Sequence, residues 1–328
     1  MKSREHARRA ILSAATATAL TATLPGLASA QAFPTKPLKF VVPFPAGSAT
    51  DNVARIVAQA MSEPLGQSVT VDNKPGASGI LGAEQVKSAP ADGYTLLVTT
   101  NTTQAANLSL FRKLPYDPVK DFTPIGKIGV TGFILMVRPD FPAANLREFM
   151  AWGKANPGRL AWGHGSAGSR VSGALLVQMA GIEAQDVAYK GIPPALTDLV
   201  GGSLQFAFAD VGNAVAQMGG GKLRGLAVTT KRRAGRAPNV PTIAEAGLPG
   251  YEVEAWFGLM APANLPAGVQ PKLTAALLAA LAKPEVRERI AGAGVDVDPQ
   301  DSAALAKTID AEIRRWAGWV RDAGIQPE

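Results

Sequence analysis

Gly163-His164-Gly165-Ser166-Ala167-Gly168 is the stretch of this sequence whose residue types come closest to chemistry. It fits G-x-G-x-x-G, follows a short apolar stretch and opens a helical pattern. Asp186 lies at about the spacing of the acid that reads a ribose in dinucleotide enzymes. The fingerprint stands mid-chain, however, and Leu160-Ala161-Trp162 before it reads as a poor buried strand. The same residues brush a second motif, because His164-Gly165-Ser166-Ala167-Gly168 is the nucleophile elbow G-x-S-x-G without its first glycine. A serine nucleophile needs a base. His6 falls in an N-terminal leader, which leaves His164 alone; two positions before Ser166 on one turn, it is badly placed to be oriented by an acid and to take the serine proton. One histidine and no cysteine also argue against a transition-metal site. We therefore expect no catalytic residue, no metal and no cofactor. Both motifs reduce to a glycine turn entering a helix, whose free N–H groups hold a carboxylate as readily as a pyrophosphate.

Two further turns share that chemistry. Pro43 to Asp51 (Pro-Phe-Pro-Ala-Gly-Ser-Ala-Thr-Asp) joins an apolar run to a helical pattern, with small residues that let a ligand approach the backbone. Ser48 and Asp51 also spell a capping box, and capping and ligand binding can hold together there. Thr99-Thr100-Asn101-Thr102-Thr103 follows a strand-like run, and the carboxyl end of a strand is where open α/β sheets bind ligands. N-capping alone would need one of those five side chains. A glycine-rich turn from Asp72 to Gly79 is weighted toward structure, since turn chemistry alone accounts for it. Arg170 opens the helix after the Gly163 turn, where a cation opposes the helix dipole. Either its head reaches solvent or it grips a carboxylate with both forks.

The elements that must position these turns follow from periodicity. β-Branched or apolar runs (Leu38 to Val42, Ser68 to Val71, Tyr94 to Thr99, Ile134 to Val137, Ala188 to Tyr189, Leu204 to Ala209, Leu223 to Val228) alternate with helical patterns such as Asn52 to Leu65 and Ser172 to Ala180. That is an α/β fold with largely parallel sheets. The C-terminal part is helical (Pro271 to Ala282, Pro284 to Ala293, Ser302 to Ala323), with Trp316 and Trp319 spaced as core anchors. The chain opens with Lys2, Arg4, Arg8 and Arg9, an uncharged run from Ala10 to Leu24, and Ala28-Ser29-Ala30, which is the grammar of a secretory signal peptide. The run is too short for the roughly 20 residues a membrane span needs. Cleavage after Ala30 is expected, by the general route or, given Arg8-Arg9, the twin-arginine route. Removing 30 residues from 328 leaves 298, enough for two lobes. Taking away four basic residues and Glu5 moves the net charge from +7 to +4, too little for a nucleic-acid partner, and the cluster Lys231, Arg232, Arg233 and Arg236 reads as a solvated loop. An exported chain also seldom meets a nicotinamide cofactor.

Blocks along the whole expected mature chain resemble the Bug family, the substrate-binding proteins of tripartite tricarboxylate transporters. They include Pro37 to Phe44 with Gly47 and Asp51; Asn73 to Ala77 with Gly79 and Gly82; Pro90 to Leu97; and Leu114 to Phe122. They continue in Tyr189-Lys190-Gly191, Pro194 to Leu199, Gly221 to Arg224, Val240-Pro241-Thr242, and Glu245 to Tyr251. The resemblance implies a periplasmic, type II periplasmic-binding-protein-like "Venus flytrap", with two doubly wound lobes and a ligand cleft between them. Lobe one would comprise residues 31–132 and 255–328, and lobe two residues 133–254, with two crossing strands and C-terminal helices returning to lobe one. It implies a monomer that binds a small carboxylate and hands it to membrane permease subunits, or else presents it to a sensor protein. Carried over, the carboxylate clasp falls on Phe44, Ala46, Gly47, Ser48 and Asp51, with Thr99, Thr100, Asn101 and Thr102 beside it. Gly165, Ser166, Ala167, Ser169, Arg170 and Asp210 would face it. The family's first loop commonly has proline and two glycines where Ala46-Gly47-Ser48 stands, and a histidine is frequent at the position of Arg170. Arg170 is accordingly expected to pair a second carboxylate, giving a preference for dicarboxylates.

Overall fold

β-Branched runs that fill a sheet on both faces, separated by stretches with a single apolar stripe, dictate a layered α/β arrangement. The computed structural model describes residues 33–328; the expected leader and its cleavage point lie outside the described residues. The order is β1 (Leu38–Val42), α1 (Ala49–Leu65), β2 (Val69–Asn73), α2 (Ile80–Lys87), β3 (Thr95–Thr100), a π-helical turn (Thr102–Ala106), α3 (Asn107–Leu110), β4 (Phe122–Thr131), β5 (Phe133–Val137), α4 (Leu146–Ala155) and β6 (Leu160–His164). It continues with α5 (Ala167–Ala180), β7 (Ala184–Ala188), α6 (Ile192–Val200), β8 (Phe206–Asp210), α7 (Val211–Gly219), β9 (Arg224–Val228), β10 (Ala255–Pro262), α8 (Val269–Ala282), α9 (Pro284–Gly292), β11 (Asp296–Gln300) and α10 (Ser302–Asp322).

These strands form two sheets, one per lobe. The first has the order β11-β4-β10-β3-β1-β2, the second β7-β6-β8-β5-β9. β1 runs parallel to β2 and β3, with Phe40 opposite Val71 and Leu96, and β6 runs parallel to β7 and β8. The expectation of largely parallel sheets needs correcting, because β10 is antiparallel to both β3 and β4, β11 to β4, and β5 to both β8 and β9. The cause is connectivity. β4 hands the chain to β5 through Gly132 alone, and the chain returns to the first sheet at β10, so β5 and β10 are each entered from the other sheet and each runs antiparallel to both of its neighbours.

The stretch before the glycine fingerprint is also a true strand, contrary to its reading from sequence. Leu160–His164 pairs on both sides, and Trp162 is 2% exposed. Its indole lies directly on the α5 backbone, where a Cβ at Gly173 would come within 2.2 Å of the ring, and stacks on Phe206 at 6.0 Å. One large ring against a glycine supplies the burial that a run of branched residues would otherwise provide. At the far end of the chain, Trp316 is fully buried and meets Trp319 edge-on at 5.0 Å. α10 packs on the π-helical turn, β4 and α5, so Trp316 shares one apolar cluster with Leu110 of the first lobe and Phe149, Trp162 and Leu175 of the second.

The passages between lobes are stitched together by Thr229. Its buried hydroxyl accepts from the Phe133 N–H (2.9 Å) and donates to the Val253 carbonyl (2.7 Å). Its backbone pairs with the same two residues: Thr229 N–H to the Phe133 carbonyl at 2.9 Å and Val253 N–H to the Thr229 carbonyl at 3.0 Å.

Candidate functional site

A cavity opens between the two sheets, with an empty volume of about 470 Å³ including its mouth. Its first wall is the turn between β1 and α1. Ser48 caps α1, accepting from the Asp51 N–H at 3.3 Å. The expected reciprocal half of that box is redirected: the Asp51 carboxylate accepts from the Gly47 N–H (3.0 Å), Arg55 Nε (3.0 Å) and Asn73 Nδ2 (2.9 Å), and Asn73 also donates to the Phe44 carbonyl (3.0 Å). Gly47 takes a φ of 79°, a left-handed conformation that suits glycine. Burial pushes the Asp51 carboxyl up, but the hydrogen bonds from Arg55, Gly47 and Asn73 outweigh it and hold the group below its ordinary range. Asp51 thus fixes the loop, leaving the Ala49 and Thr50 N–H groups, on the cavity wall, without a hydrogen bond among the described residues.

The second wall is the carboxyl end of β3 and the π-helical turn after it, a rare conformation that recurs at functional sites. The five hydrogen-bonding residues divide their work here. Thr99 and Thr103 bind each other (2.7 Å), and Thr99 donates to Gln104 Oε1 (2.8 Å), which locks the turn from behind. Thr100, Asn101 and Thr102 line the cavity. Asn101 is 1% exposed, and its Nδ2 has no partner among the described residues. A buried amide donor without an acceptor is an expensive arrangement that a ligand oxygen relieves.

The second lobe contributes Gly165, Ser166 and Ser169 from the start of α5, Ile192 from the start of α6, and Asp210 from the start of α7. Ser166 and Ser169 form a complete capping box. Ser169 Oγ accepts from the Gly165 and Ser166 N–H groups at 3.0 and 3.1 Å, and the Ala167 N–H crosses between lobes to Thr102 Oγ1 at 3.3 Å. Those amides are therefore engaged, unlike those of α1. Asp210 caps α7 through the Asn213 N–H (3.1 Å), and both its oxygens receive the Asn213 side-chain amide. Burial raises its carboxyl above the ordinary range, with the Asn213 hydrogen bonds opposing. Among the described residues it is the one ionisable side chain on the cavity; the rest of the wall is the Asn101 amide, hydroxyls and apolar groups, with Phe44, Phe133, Phe208 and Phe257 around it.

Of the residues expected from sequence, the cavity brings together Phe44, Ser48, Thr100, Asn101, Thr102, Gly165, Ser166, Ser169 and Asp210. It does not bring Ala46, Gly47, Asp51, Thr99, Ala167 or Arg170 to its wall. Ala46 and Gly47 face solvent, Asp51 and Thr99 brace the turns, and Ala167 offers its amide to Thr102. Arg170 points elsewhere: Nη1 lies 2.6 Å from Glu328 Oε1 and Nε 3.9 Å from Asp186 Oδ2, so its guanidinium is spent on protein carboxylates. His164 joins that cluster, its Nε2 3.5 Å from Asp186, and burial pushes its imidazole down to about 4, Arg170 adding to the effect and Asp186 opposing it. The basic segment near Lys231 is paired likewise, Lys231 with Glu252 and Arg233 with Glu245.

Sequence reasoning named the turn that holds Ala49 and Thr50 without singling them out, and missed Thr131, Phe133, Ile192, Phe208, Ala255 and Phe257. A signal for some of them existed. Side chains two apart share a strand face, so Asp210 implicates Phe208 once β8 is recognised, and Ala255 and Phe257 share one face of β10.

A cleft between two α/β lobes, joined by strand crossings and lined by helix N-termini, can be set beside known proteins. The profile described as "Tripartite tricarboxylate transporter family receptor" matches residues 53–325. The chain belongs to that family. The receptor is 33% identical over 306 residues to BugT of Bordetella pertussis, covering 91% of this chain and 92% of BugT. Two similar solved structures come from Rhodopseudomonas palustris. Rpa4515 with adipate has a TM-score of 0.88 at 33% identity, covering 90% of the receptor and all of that chain. MatC with bound malate has a TM-score of 0.83 at 36% identity, covering 88% and all of that chain. The fold is thus that of a two-lobed periplasmic binding protein of the Bug type. Among the described residues, no helix is long and apolar enough to cross a membrane, and no group of His, Cys, Asp and Glu could hold a metal ion.

Proposed function

We propose that this receptor closes in the periplasm around a small organic carboxylate and presents it to the membrane subunits of a tripartite transporter, without chemical change to the ligand. One observation carries the reading: the Ala49 and Thr50 amides at the N-terminus of α1, on the first wall, and Asn101 Nδ2, on the second, have no acceptor among the described residues, and all three residues line one cavity. Helix dipole and oriented N–H groups together favour an anion there without a cationic side chain. Adipate and malate in the two R. palustris relatives support the ligand class.

The opposite wall narrows it. With Arg170 committed to Glu328 and Asp186, and Asp210 as the ionisable group on the cavity, the second lobe favours a ligand that brings a donor, an ammonium or a hydroxyl, to that end. An amino acid or hydroxy acid fits better than a plain dicarboxylate. We place the lobe boundaries at Gly132 and just before Ala255, so that residues 133–254 form the second lobe and the remainder of the mature chain the first; the membership of the two sheets supports this division.

The test is a thermal-shift screen of mono-, di- and tricarboxylates, amino acids and hydroxy acids. A ligand at 100 times its Kd adds about 2.7 kcal/mol of stability. Failure of every carboxylate to stabilise the protein would overturn the reading, as would turnover of any bound compound.

A further inference from the structure

We propose that Gly191 is the seat on which the first lobe's Pro45 closes, so that the missing side chain at position 191 sets how long the receptor holds its ligand. This rests on the ligand-capturing reading above. Three ordinary reasons for a glycine do not apply at this position. Its backbone is extended, with φ 178° and ψ 174°, which any residue adopts. It stands at the N-cap of α6 and makes no side-chain cap, although serine or aspartate would cap better. Nor does its own lobe crowd it, since the nearest atom there to an added Cβ would be Pro193 Cδ at 3.8 Å, an ordinary contact.

The space is taken from the other lobe. A Cβ on Gly191 would lie 2.5 Å from Pro45 Cδ and 2.7 Å from Pro45 Cγ. A proline ring cannot rotate aside as a flexible side chain can. Behind Gly191 the arrangement repeats: a Cβ on Gly165 would meet the Gly191 carbonyl carbon at 2.1 Å. Pro45, Gly191 and Gly165 thus stack in three layers with no side chain between them, and Gly165 and Ile192 face the cavity. The Ala167 amide reaches Thr102 Oγ1 from the same second-lobe turn. The lobes can approach to backbone distance here because the intervening positions carry nothing. Apart from Pro45, the nearest contact of a Cβ at 191 is the ordinary one with Pro193 Cδ.

Gly191→Ser keeps a good N-cap and adds the obstructing Cβ; Gly191→Ala adds it without the cap. The probe is whichever of adipate, malate, glutamate or benzoate stabilises the parent most, followed by calorimetry and stopped-flow release. Expected is an unchanged ligand-free Tm for Gly191→Ser and a Kd raised about 5- to 150-fold, as for an overpacked methyl-sized group, through faster release. Pro45→Ala, which removes both offending ring carbons, should restore tight binding in the Gly191→Ser background. Equal binding by parent and Gly191→Ser would overturn the seat, and so would a loss that Pro45→Ala fails to repair. Absence of binding to the parent would instead sink the functional reading, and the seat with it.

Discussion

Asn101→Ala separates a ligand contact from a structural one by the sign of its two effects. The side chain is 1% exposed, and its Nδ2 finds no acceptor among the described residues, so the ligand-free protein already bears the desolvation of that donor, about 1–3 kcal/mol. Truncation removes an unsatisfied group, and the ligand-free protein should lose little stability or gain some. In the complex the same donor faces a carboxylate, and a hydrogen bond to a charged partner contributes about 1.5–3 kcal/mol. Affinity should therefore fall about 10- to 150-fold. Asn101→Asp replaces the donor with a second negative charge and should lose at least as much. Calorimetric titration gives the affinities, and urea denaturation of the ligand-free proteins gives the stabilities. Equal affinity of Asn101→Ala and parent would refute the assignment of this wall to the carboxylate. A large loss of ligand-free stability would show that Nδ2 serves the fold instead.

Arg170→Ala should leave ligand affinity unchanged while costing about 1 kcal/mol in urea denaturation, because its partners Glu328 and Asp186 are more than half exposed; a large fall in affinity for dicarboxylates alone would reinstate it as a ligand contact. The His164 imidazole has a folded pKa of about 4 against about 6.5 unfolded. The unfolded chain takes up a proton that the folded chain refuses in that window, so stability present above pH 6.5 declines as pH falls and is lost in full, about 3 kcal/mol, below pH 4. Denaturation midpoints of parent and His164→Gln compared between pH 7.5 and 4.5 should diverge accordingly, and parallel curves would count against it. Phe149→Ala, at a fully buried ring against Phe206, should cost about 3–5 kcal/mol by the same measurement, with no change in the ligands bound by whatever protein remains folded.

Much of the frame was legible because period and composition agree where an element is buried evenly. β1 and α9 fall within a residue of the ranges read from sequence, and the helix expected to begin at Asn52 starts at Ala49 only because Ser48 caps it. What escaped were strands whose burial comes from elsewhere. β4 carries Pro124, Gly126, Lys127 and Gly129, a poor strand sequence by propensity. Neighbouring strands and helices override it: a Cβ at Gly126 would strike the Gln300 carbonyl and Leu277 at 2.8 Å, and Lys127 is satisfied by Asp298. The site divided along the same line. Glycine and hydroxyl turns announced the first wall, since their residue types are costly or idle elsewhere. Phe133, Ile192 and Phe257 did not, because an apolar residue at the cavity looks in sequence like any other core position. Arg170 misled for the opposite reason. Its charge demanded a partner, and that partner, Glu328, lies 158 positions away in the chain, beyond the reach of any local pattern.

Thr229 has a consequence for how the closed state is read from outside. Because its hydroxyl and backbone tie Phe133 to Val253, the two passages between lobes are fastened to each other at this point. Phe133 is also part of the cavity wall, so a ligand there lies against one of the tied segments. If the two passages bend as one, the angle between the lobes becomes a signal that does not depend on which ligand holds them. A membrane partner that recognised that angle would have no need to inspect the ligand at all, and selectivity would be settled before the two proteins ever met.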